Sequence, residues 1–346
     1  MTDRRSLGLL LCIAAAASFG LSGIFASALI GSGWSPGAVT TARICLAALV
    51  MLVPALLALR GRWRALWAGR WQVLLFGIFA VAICQLAFFS AVQRIPPALA
   101  LLIEFLGPVL LVGWTWARTR RSPAALTLVG AGIAVLGLGL VSGVGQAEGL
   151  DPIGIGLALV SAVGNAVYWA SAASTTHGLP PVTLAGLGLA VGGVLLLAAG
   201  AIGVLPMTIA TAPTILAGAE VPMVVTLAIL VLVATVAAYV LGVSGVRRLG
   251  ATLSSFLGYS EPLFGVLWMA LLLAIVPSPV QGAGAIAILA GVVLVRAGEL
   301  RRPRAQRDPV TAPVELPLVA PEEPARAPGA AARALQPTDD AGGTVR

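Results

Sequence analysis

Three charged residues interrupt long apolar runs of the sequence: Arg43, Glu104 and Glu261. Burying an ionisable group in hydrocarbon is costly, so each is a candidate functional residue, with a structural role such as a snorkelling arginine as the alternative. Arg43 and Glu104 lie at similar depth in their runs, roughly 9 and 10 Å from one end at 1.5 Å per helical residue, so an ion pair or a shared substrate site is reasonable. Glu261 lies near the middle of its run, directly before Pro262.

These groups could exchange protons or bind a charged small molecule. Glu104 and Glu261 are the acidic candidates, because His177, the single histidine, lies in a short loop between apolar runs. A nearby Arg43 would hold Glu104 in its charged form, in which it can bind a substrate amine. Glu261 has no obvious cationic partner, so we predict that it carries the coupling proton.

Further polar and helix-breaking residues lie at similar depths. Gln85, Tyr168 and Tyr239 are included in the predicted substrate or coupling site, although any one polar residue in a membrane is more often a contact between helices than a ligand contact. Pro108 and Pro262 are predicted helix breaks, since a proline frees a backbone carbonyl and bends a helix.

Sequence motifs of enzymes are absent. The chain has no paired Asp motif, His cluster, Gly-flanked Ser nucleophile or metal-ligand spacing, and its three cysteines lie in apolar runs. A phosphate-cradling loop requires a lysine, and the chain has none, which excludes ATP-driven transport by this chain alone. Neither a cofactor nor a metal is predicted.

The composition indicates which elements carry these residues. Of 346 residues, 59% are hydrophobic and only 10% are charged. Soluble domains have about 25% charged residues, so we predict a polytopic α-helical protein embedded in a lipid bilayer. The net charge of +8 comes from arginines that cluster between apolar runs, which is typical of membrane orientation and not of a nucleic-acid partner.

Ten apolar runs are long enough to cross a bilayer, which takes about 20 helical residues. The predicted spans are 7–30, 37–59, 72–92, 97–116, 124–141, 152–173, 182–204, 222–243, 251–275 and 280–296. Arginines gather in the predicted loops around Arg64, Arg120 and Arg248. Because positive loops stay on the cytoplasmic side, we predict that both termini are cytoplasmic, in a plasma membrane such as a bacterial inner membrane.

The sequence also contains an internal repeat. A shift of 154 residues aligns Pro108 with Pro262 and Gln85 with Tyr239. Each half would hold five spans, an odd number, so the second half enters the membrane from the opposite side. We therefore predict an all-α fold of ten transmembrane helices in two inverted five-helix repeats, with a site at the repeat interface. The predicted domains are 7–141, 152–296 and, as a disordered cytoplasmic tail rich in Pro and charge, 297–346.

Residues of the fourth and ninth spans resemble those of a known family. Ten spans in two halves, with Glu104-Phe-Leu-Gly-Pro108 and Glu261-Pro262, are similar to the drug/metabolite transporter superfamily and, within it, to the EamA domain family. The fourth span is most similar to the amino-acid exporters of that family, such as the threonine/homoserine exporter. One departure is Leu273-Ala274-Ile275, where the family often has a glutamate. If that glutamate contributes to coupling or gating in relatives, this protein achieves it differently or not at all.

The resemblance implies export of small metabolites across the plasma membrane, coupled to protons. We predict a secondary active transporter that exports a small polar metabolite by alternating access, with an amino acid as the favoured substrate. The alternatives are a membrane-embedded enzyme acting on lipid or isoprenoid substrates and a non-transporting membrane scaffold. An enzyme would need catalytic groups clustered at one interface, whereas the acidic residues here are spread through the membrane depth. The oligomeric state is left open.

Overall fold

The computed structural model describes residues 2–120, 122–142, 151–274 and 276–301, most of which are helical. Nine helical segments among these residues are long and apolar enough to cross a membrane, and a further apolar helix at 125–141 is shorter. The structure therefore confirms an all-α polytopic membrane protein.

The first half of the described chain begins with two helices separated by a single residue, Leu21. Its elements are α1 Thr2–Gly20, α2 Ser22–Gly31, α3 Pro36–Ala58, α4 Trp63–Ala68, α5 Arg70–Leu75, the π-helix π1 Phe76–Ile83, α6 Cys84–Val92, α7 Pro97–Glu104, α8 Gly107–Thr119 and α9 Ala125–Ser142.

The second half contains a short hairpin as well as helices. Its elements are α10 Pro152–Ala173, α11 Pro181–Ala201, β1 Thr214–Leu216, β2 Ala219–Val221, α12 Met223–Val231, the π-helix π2 Leu232–Ala237, α13 Ala238–Leu249, α14 Ala251–Leu257, α15 Ser260–Leu273 and α16 Pro279–Arg301.

Local sequence explains where two of the long helices begin. The Ser35 side chain accepts a hydrogen bond from the Ala38 backbone N–H, and Pro36 follows it as the first residue of α3. Asp151 accepts from the Ile153 N–H at 2.9 Å in the same way before α10. A capping oxygen followed by proline is a strong helix start, because the proline lacks an N–H that would need a partner there.

The fourth and ninth predicted spans are broken a few residues before Pro108 and Pro262, the two prolines expected to bend them. The fourth is interrupted at Phe105 and Leu106, and the ninth at Gly258 and Tyr259. A proline cannot donate to the carbonyl four residues before it, so the helix does not continue through that position. In the ninth span, the freed carbonyl of Gly258 accepts instead from the Glu261 N–H at 2.9 Å.

Two other boundaries differ from the prediction. Helix α13 continues to Leu249, so the placement of Arg247 and Arg248 in a loop is wrong; they lie in the last turn of the helix. Arginine suits this position because the carbonyls there lack partners, and Arg248 donates to Ser244 O at 2.8 Å. Helix α16 continues to Arg301, so residues 297–301 of the predicted tail are helical, and the rest of that tail lies outside the described residues.

The loop between α11 and α12 forms an antiparallel hairpin that was not predicted. Its turn consists of Ala217 and Gly218, both with positive φ, the conformation that matches the twist of a two-residue hairpin. The same loop is held against the turn before α3, where Trp34 Nε1 donates to Ala210 O at 2.7 Å and Ser35 Oγ donates to Pro206 O at 2.7 Å.

Local backbone irregularities recur at the same shift of 154 residues. The break at Phe105 corresponds to the break at Tyr259, and the π-helices π1 and π2 overlap after the shift. Arg120 and Ala274, which end α8 and α15 with φ of 56° and 55°, also correspond. Irregular backbone depends on local packing. The recurrence of these irregularities is therefore separate evidence for a repeat, beyond the similar amino-acid composition of the two halves.

Helices α9 and α16 pack backbone against backbone through glycines. A Cβ on Gly130 would lie 2.6 Å from Gly291 O, and a Cβ on Gly137 would lie 2.7 Å from Gly284 O. Small residues permit this close approach, which supplies dispersion contacts where apolar lipid provides no hydrophobic drive.

Candidate substrate site

Glu104 is the last residue of α7, directly before the break. Its side chain is half-buried, and its Oε1 atom accepts a hydrogen bond from Cys84 Sγ at 3.6 Å. Cys84 itself is buried and contacts Ser161 of α10. Cys84 is not among the predicted site residues, because a cysteine in an apolar run has no sequence signal that separates it from a small packing residue.

Glu261 lies in the first turn of α15, just after the second break. Its side chain is half-buried, and no hydrogen bond or ion pair reaches its carboxylate from the described residues. The Glu261 carbonyl faces α1, where a Cβ on Gly20 would lie 3.0 Å from it. A lack of side chain on Gly20 therefore lets α1 approach the start of α15 closely.

Arg43 lies on α3 and is half-buried. Its Nε atom is buried and has no hydrogen-bond partner in the described part of the chain. The ion pair expected with Glu104 is not formed; the ion pair that the described residues do form joins Arg94 and Asp151 at the protein surface, at 3.1 Å. Similar depth on two helices leaves the directions of their side chains undetermined, so depth alone could not predict a contact.

The predicted charged residues nevertheless share one electrostatic environment. Arg43 lies within electrostatic range of Glu104, Glu261 and Tyr239, and Glu104 lies within range of Glu261. Interactions of this kind weaken steeply with distance and with water, so these groups belong to one region of the membrane interior.

Aromatic rings from both halves pack beside these charged groups. Tyr168 and Tyr239 lie 5.9 Å apart between ring centroids, and Phe76 lies 5.5 Å from Tyr168. Phe19 of α1 packs edge-on against Tyr239 at 5.3 Å. The Tyr168 hydroxyl is buried without a partner among the described residues. An unpaired buried hydroxyl is costly, and a polar ligand would remove that cost.

Phe19 and Phe76 were not predicted as site residues. Aromatic residues in apolar runs look alike in sequence whether they face lipid or the interior: Phe76 is fully buried, whereas Trp114 is 64% exposed. The polar tyrosines could be singled out because a hydroxyl at membrane depth requires an explanation.

The two breaks contact successive turns of α10. A Cβ on Gly107 would lie 2.5 Å from Asn165 Oδ1, and a Cβ on Gly258 would lie 2.7 Å from Trp169 Cζ2. Trp169 Nε1 donates to Asn165 Oδ1 at 2.7 Å, which joins the two side chains one turn apart. This Asn165–Trp169 pair therefore lies between the broken spans and contacts a glycine in each.

The remaining predicted site residues, Gln85, Pro108 and Pro262, make no polar side-chain contacts with the described residues. Gln85 follows Cys84 on α6 and is half-buried, with no side-chain hydrogen bond to the described residues. Pro108 is buried near the start of α8, and Pro262 is half-buried in the first turn of α15. Within the described ranges, no three His, Cys, Asp or Glu side chains are grouped so that they could hold a metal ion.

A multi-pass helical bundle with charged groups at helix breaks in its interior is the build of a membrane carrier. The chain matches the model of the EamA-like transporter family twice, over residues 6–143 and 152–297, and it belongs to that family. The match confirms the predicted family, and the protein is a membrane transporter for a small molecule.

Two proteins are similar to this chain. The uncharacterized inner membrane transporter YicL of Salmonella typhimurium is 26% identical over 238 residues, which are 68% of this chain and 75% of the relative. A protein of known crystal structure has the same fold, with a TM-score of 0.67 and 20% identity, over 86% of this chain and 99% of that chain.

Proposed function

We propose that the protein exports a small zwitterionic metabolite, an amino acid in the first instance, as a proton-coupled secondary transporter. The observation that carries this proposal is the Arg43 guanidinium, which is half-buried among helices and has an Nε without a partner in the described residues. A partly buried cation without an ion-pair partner is costly, and a substrate carboxylate would supply that partner.

Arg43 and Glu104 would then bind the two ends of the substrate. A guanidinium binds a carboxylate through two parallel hydrogen bonds, and a carboxylate binds an ammonium through charge-assisted ones. Because Arg43 and Glu104 form no ion pair with each other, both groups remain free to bind a zwitterion. Glu261, whose carboxylate has no described partner, is the proposed proton carrier.

Alternating access would arise from two inverted five-helix repeats, 7–141 and 152–296, with ten transmembrane helices in total. The recurrence of breaks, π-helices and left-handed residues at one shift supports this architecture. The contacts of Gly130 with Gly291 and of Gly137 with Gly284 support it as well, since the two pairs exchange when the halves are interchanged. Inverted repeats can rock around a site at their interface.

The proposed membrane is a bacterial inner membrane, with both termini in the cytoplasm. The exposed tryptophans around α4, Trp63 and Trp67, support a membrane–water interface there. Arg70 stacks over the Trp67 ring at 4.8 Å on the same side. Tryptophan is typical of either membrane–water interface, and an excess of arginine is typical of the cytoplasmic one.

The test uses purified full-length protein in proteoliposomes that contain a pH-sensitive dye. Each of the common amino acids is added in turn, and we expect at least one to move protons and to exchange with its own labelled form. Arg43→Gln should abolish exchange, whereas Arg94→Gln, which removes a surface arginine, should not. Exchange without proton movement would overturn the coupling, and no exchange with any amino acid would overturn the substrate class.

The competing enzyme hypothesis is tested in the same vesicles. Mass spectrometry of the lipids after incubation should show no change relative to protein-free vesicles. A chemically altered lipid or isoprenoid would overturn the proposal in favour of a membrane-embedded enzyme.

A further inference from the structure

Cys84 and Ser161 form a buried contact between the two halves of the chain. Cys84 is the first residue after π1, and Ser161 is fully buried in α10. Ser161 Oγ donates to the Cys84 carbonyl at 3.1 Å, and Cys84 Sγ lies 3.4 Å from Ser161 Oγ and 3.5 Å from the Ser161 carbonyl. These contacts orient the cysteine from both its backbone and its side chain.

The same thiol reaches Glu104, 3.6 Å from Sγ to Oε1. Its other acceptors are neutral oxygens of Ser161, and a carboxylate is the stronger acceptor because it carries charge. The Ser161 side chain also interacts with the Glu104 carboxylate. The thiol and the Ser161 hydroxyl, which contact each other, therefore limit the orientation of the carboxylate together.

The packing around Cys84 leaves little freedom for adjustment. A Cβ on Gly164 would lie 2.7 Å from Cys84 Cβ and 2.6 Å from the Phe79 carbonyl, so α10 can approach only because a glycine stands there. Phe79 belongs to π1, whose wider turn shifts the face on which the following residues project. The π-helix and Gly164 together place the thiol next to Glu104.

We propose that Cys84, held by Ser161, is a positioning residue that fixes the Glu104 carboxylate for substrate binding. This inference rests on the proposed function, in which Glu104 binds the substrate amine. Cys84 acts through Glu104 and does not itself contact the substrate.

The functional test measures the exchange kinetics of the amino acid that gives the largest flux in the proteoliposome screen. Cys84→Ala should raise KM about fivefold, which corresponds to roughly 1 kcal/mol, and leave the maximal rate nearly unchanged. Cys84→Ser should restore KM, because a hydroxyl also donates to a carboxylate. Cys45→Ala is the matched control, since Cys45 Sγ donates to the Gly193 carbonyl at 3.5 Å and contacts no acidic group.

A second test requires no substrate. Thermal unfolding of purified wild type, Cys84→Ala, Glu104→Gln and the double variant forms a double-mutant cycle. The losses of stability caused by Cys84→Ala and Glu104→Gln should be non-additive. Those caused by Cys45→Ala and Glu104→Gln should be additive. An additive Cys84–Glu104 cycle, or a KM for Cys84→Ala no higher than that for Cys45→Ala, would overturn the inference. If no amino acid is exchanged, the proposed function fails, and the cycle alone decides whether Cys84 fixes Glu104.

Discussion

The fourth and ninth spans have the same broken backbone but place their carboxylates differently. In the fourth span, Glu104 ends α7 before the break and accepts a hydrogen bond from Cys84. In the ninth, Glu261 follows the break in the first turn of α15, and its carboxylate has no partner among the described residues. One span thus offers an anchored carboxylate and the other a free one.

This difference suggests how two related halves can divide the work of a carrier. An anchored carboxylate has a fixed position, which suits recognition of a substrate ammonium. A carboxylate without hydrogen-bond partners loses less when it changes its protonation state, which suits a group that picks up and releases a proton. The repeat supplies the same helix break twice, and single residues beside each break determine its chemistry.

The largest effect is expected from Glu261→Gln. Glutamine has nearly the same shape but cannot titrate, so proton-coupled net flux should be abolished while exchange of labelled amino acid continues. Both rates are measured in proteoliposomes with and without a pH gradient. Equal net flux in the variant and the wild type would contradict the proposed division of substrate binding and proton transfer between the two spans.

Glu104→Gln should weaken substrate binding itself. Loss of a charge-assisted hydrogen bond to an ammonium costs about 2 kcal/mol, or roughly 30-fold in affinity. Glu220→Gln, on the exposed strand β2, is a matched control that should bind like the wild type. The readout is KM for exchange, and a normal KM with impaired proton flux would exchange the roles assigned to Glu104 and Glu261.

A smaller effect on stability is expected where both breaks contact α10. Gly107→Ala and Gly258→Ala would place a methyl group against Asn165 and Trp169, and overpacking of this kind costs about 1–3 kcal/mol. Gly113→Ala, on the same helix α8, meets open space and should be neutral or stabilising. Thermal unfolding in detergent compares the three variants.

The two glycine sites also test the symmetry of the breaks. If Gly107→Ala destabilises the protein and Gly258→Ala does not, α14 and α15 can shift away from Trp169, and the second break is the more adaptable one. Equal losses of stability in the two variants would mean that the Asn165–Trp169 pair holds both breaks in place.

Much of the fold could be predicted because long apolar runs identify the helices that lie within a membrane. The span predicted at 152–173 coincides with α10, Pro152–Ala173. The π-helices could not be predicted: π1, from Phe76 to Ile83, is uniformly apolar, and its altered hydrogen bonding depends on neighbouring helices. The hairpin was missed because each strand has only three residues and its turn, Ala217-Gly218, is a weak signal.

The candidate site could be predicted only in part, for a related physical reason. A charged or hydroxyl group at membrane depth is unusual enough to identify Glu261 and Tyr168 from sequence. The depth of a residue does not determine its direction around the helix axis, so depth could not decide between the two alternatives for Arg43 and Glu104. They form no ion pair, and their shared substrate site stays a prediction. Cys84 was missed because nothing in the sequence indicates that π1 places it beside a carboxylate.

The smallest effect is expected at the membrane surface, where Asp151 contrasts with the two interior carboxylates. The Ile153 backbone N–H and then the Arg94 side chain lower the pKa of Asp151 below its usual value. A carboxyl with a lowered pKa stabilises the folded state above the unfolded pKa, about 4, and loses that contribution as pH falls through the folded pKa. Asp151→Asn keeps a capping oxygen, so it should lower the melting temperature slightly at neutral pH and not at all at strongly acidic pH.

Because the Arg94–Asp151 pair is exposed, salt should reduce even this small difference in melting temperature between the variant and the wild type. Melting curves at two pH values and two salt concentrations measure it, and a large, salt-independent loss would mean that the Arg94–Asp151 contact helps to join the two halves.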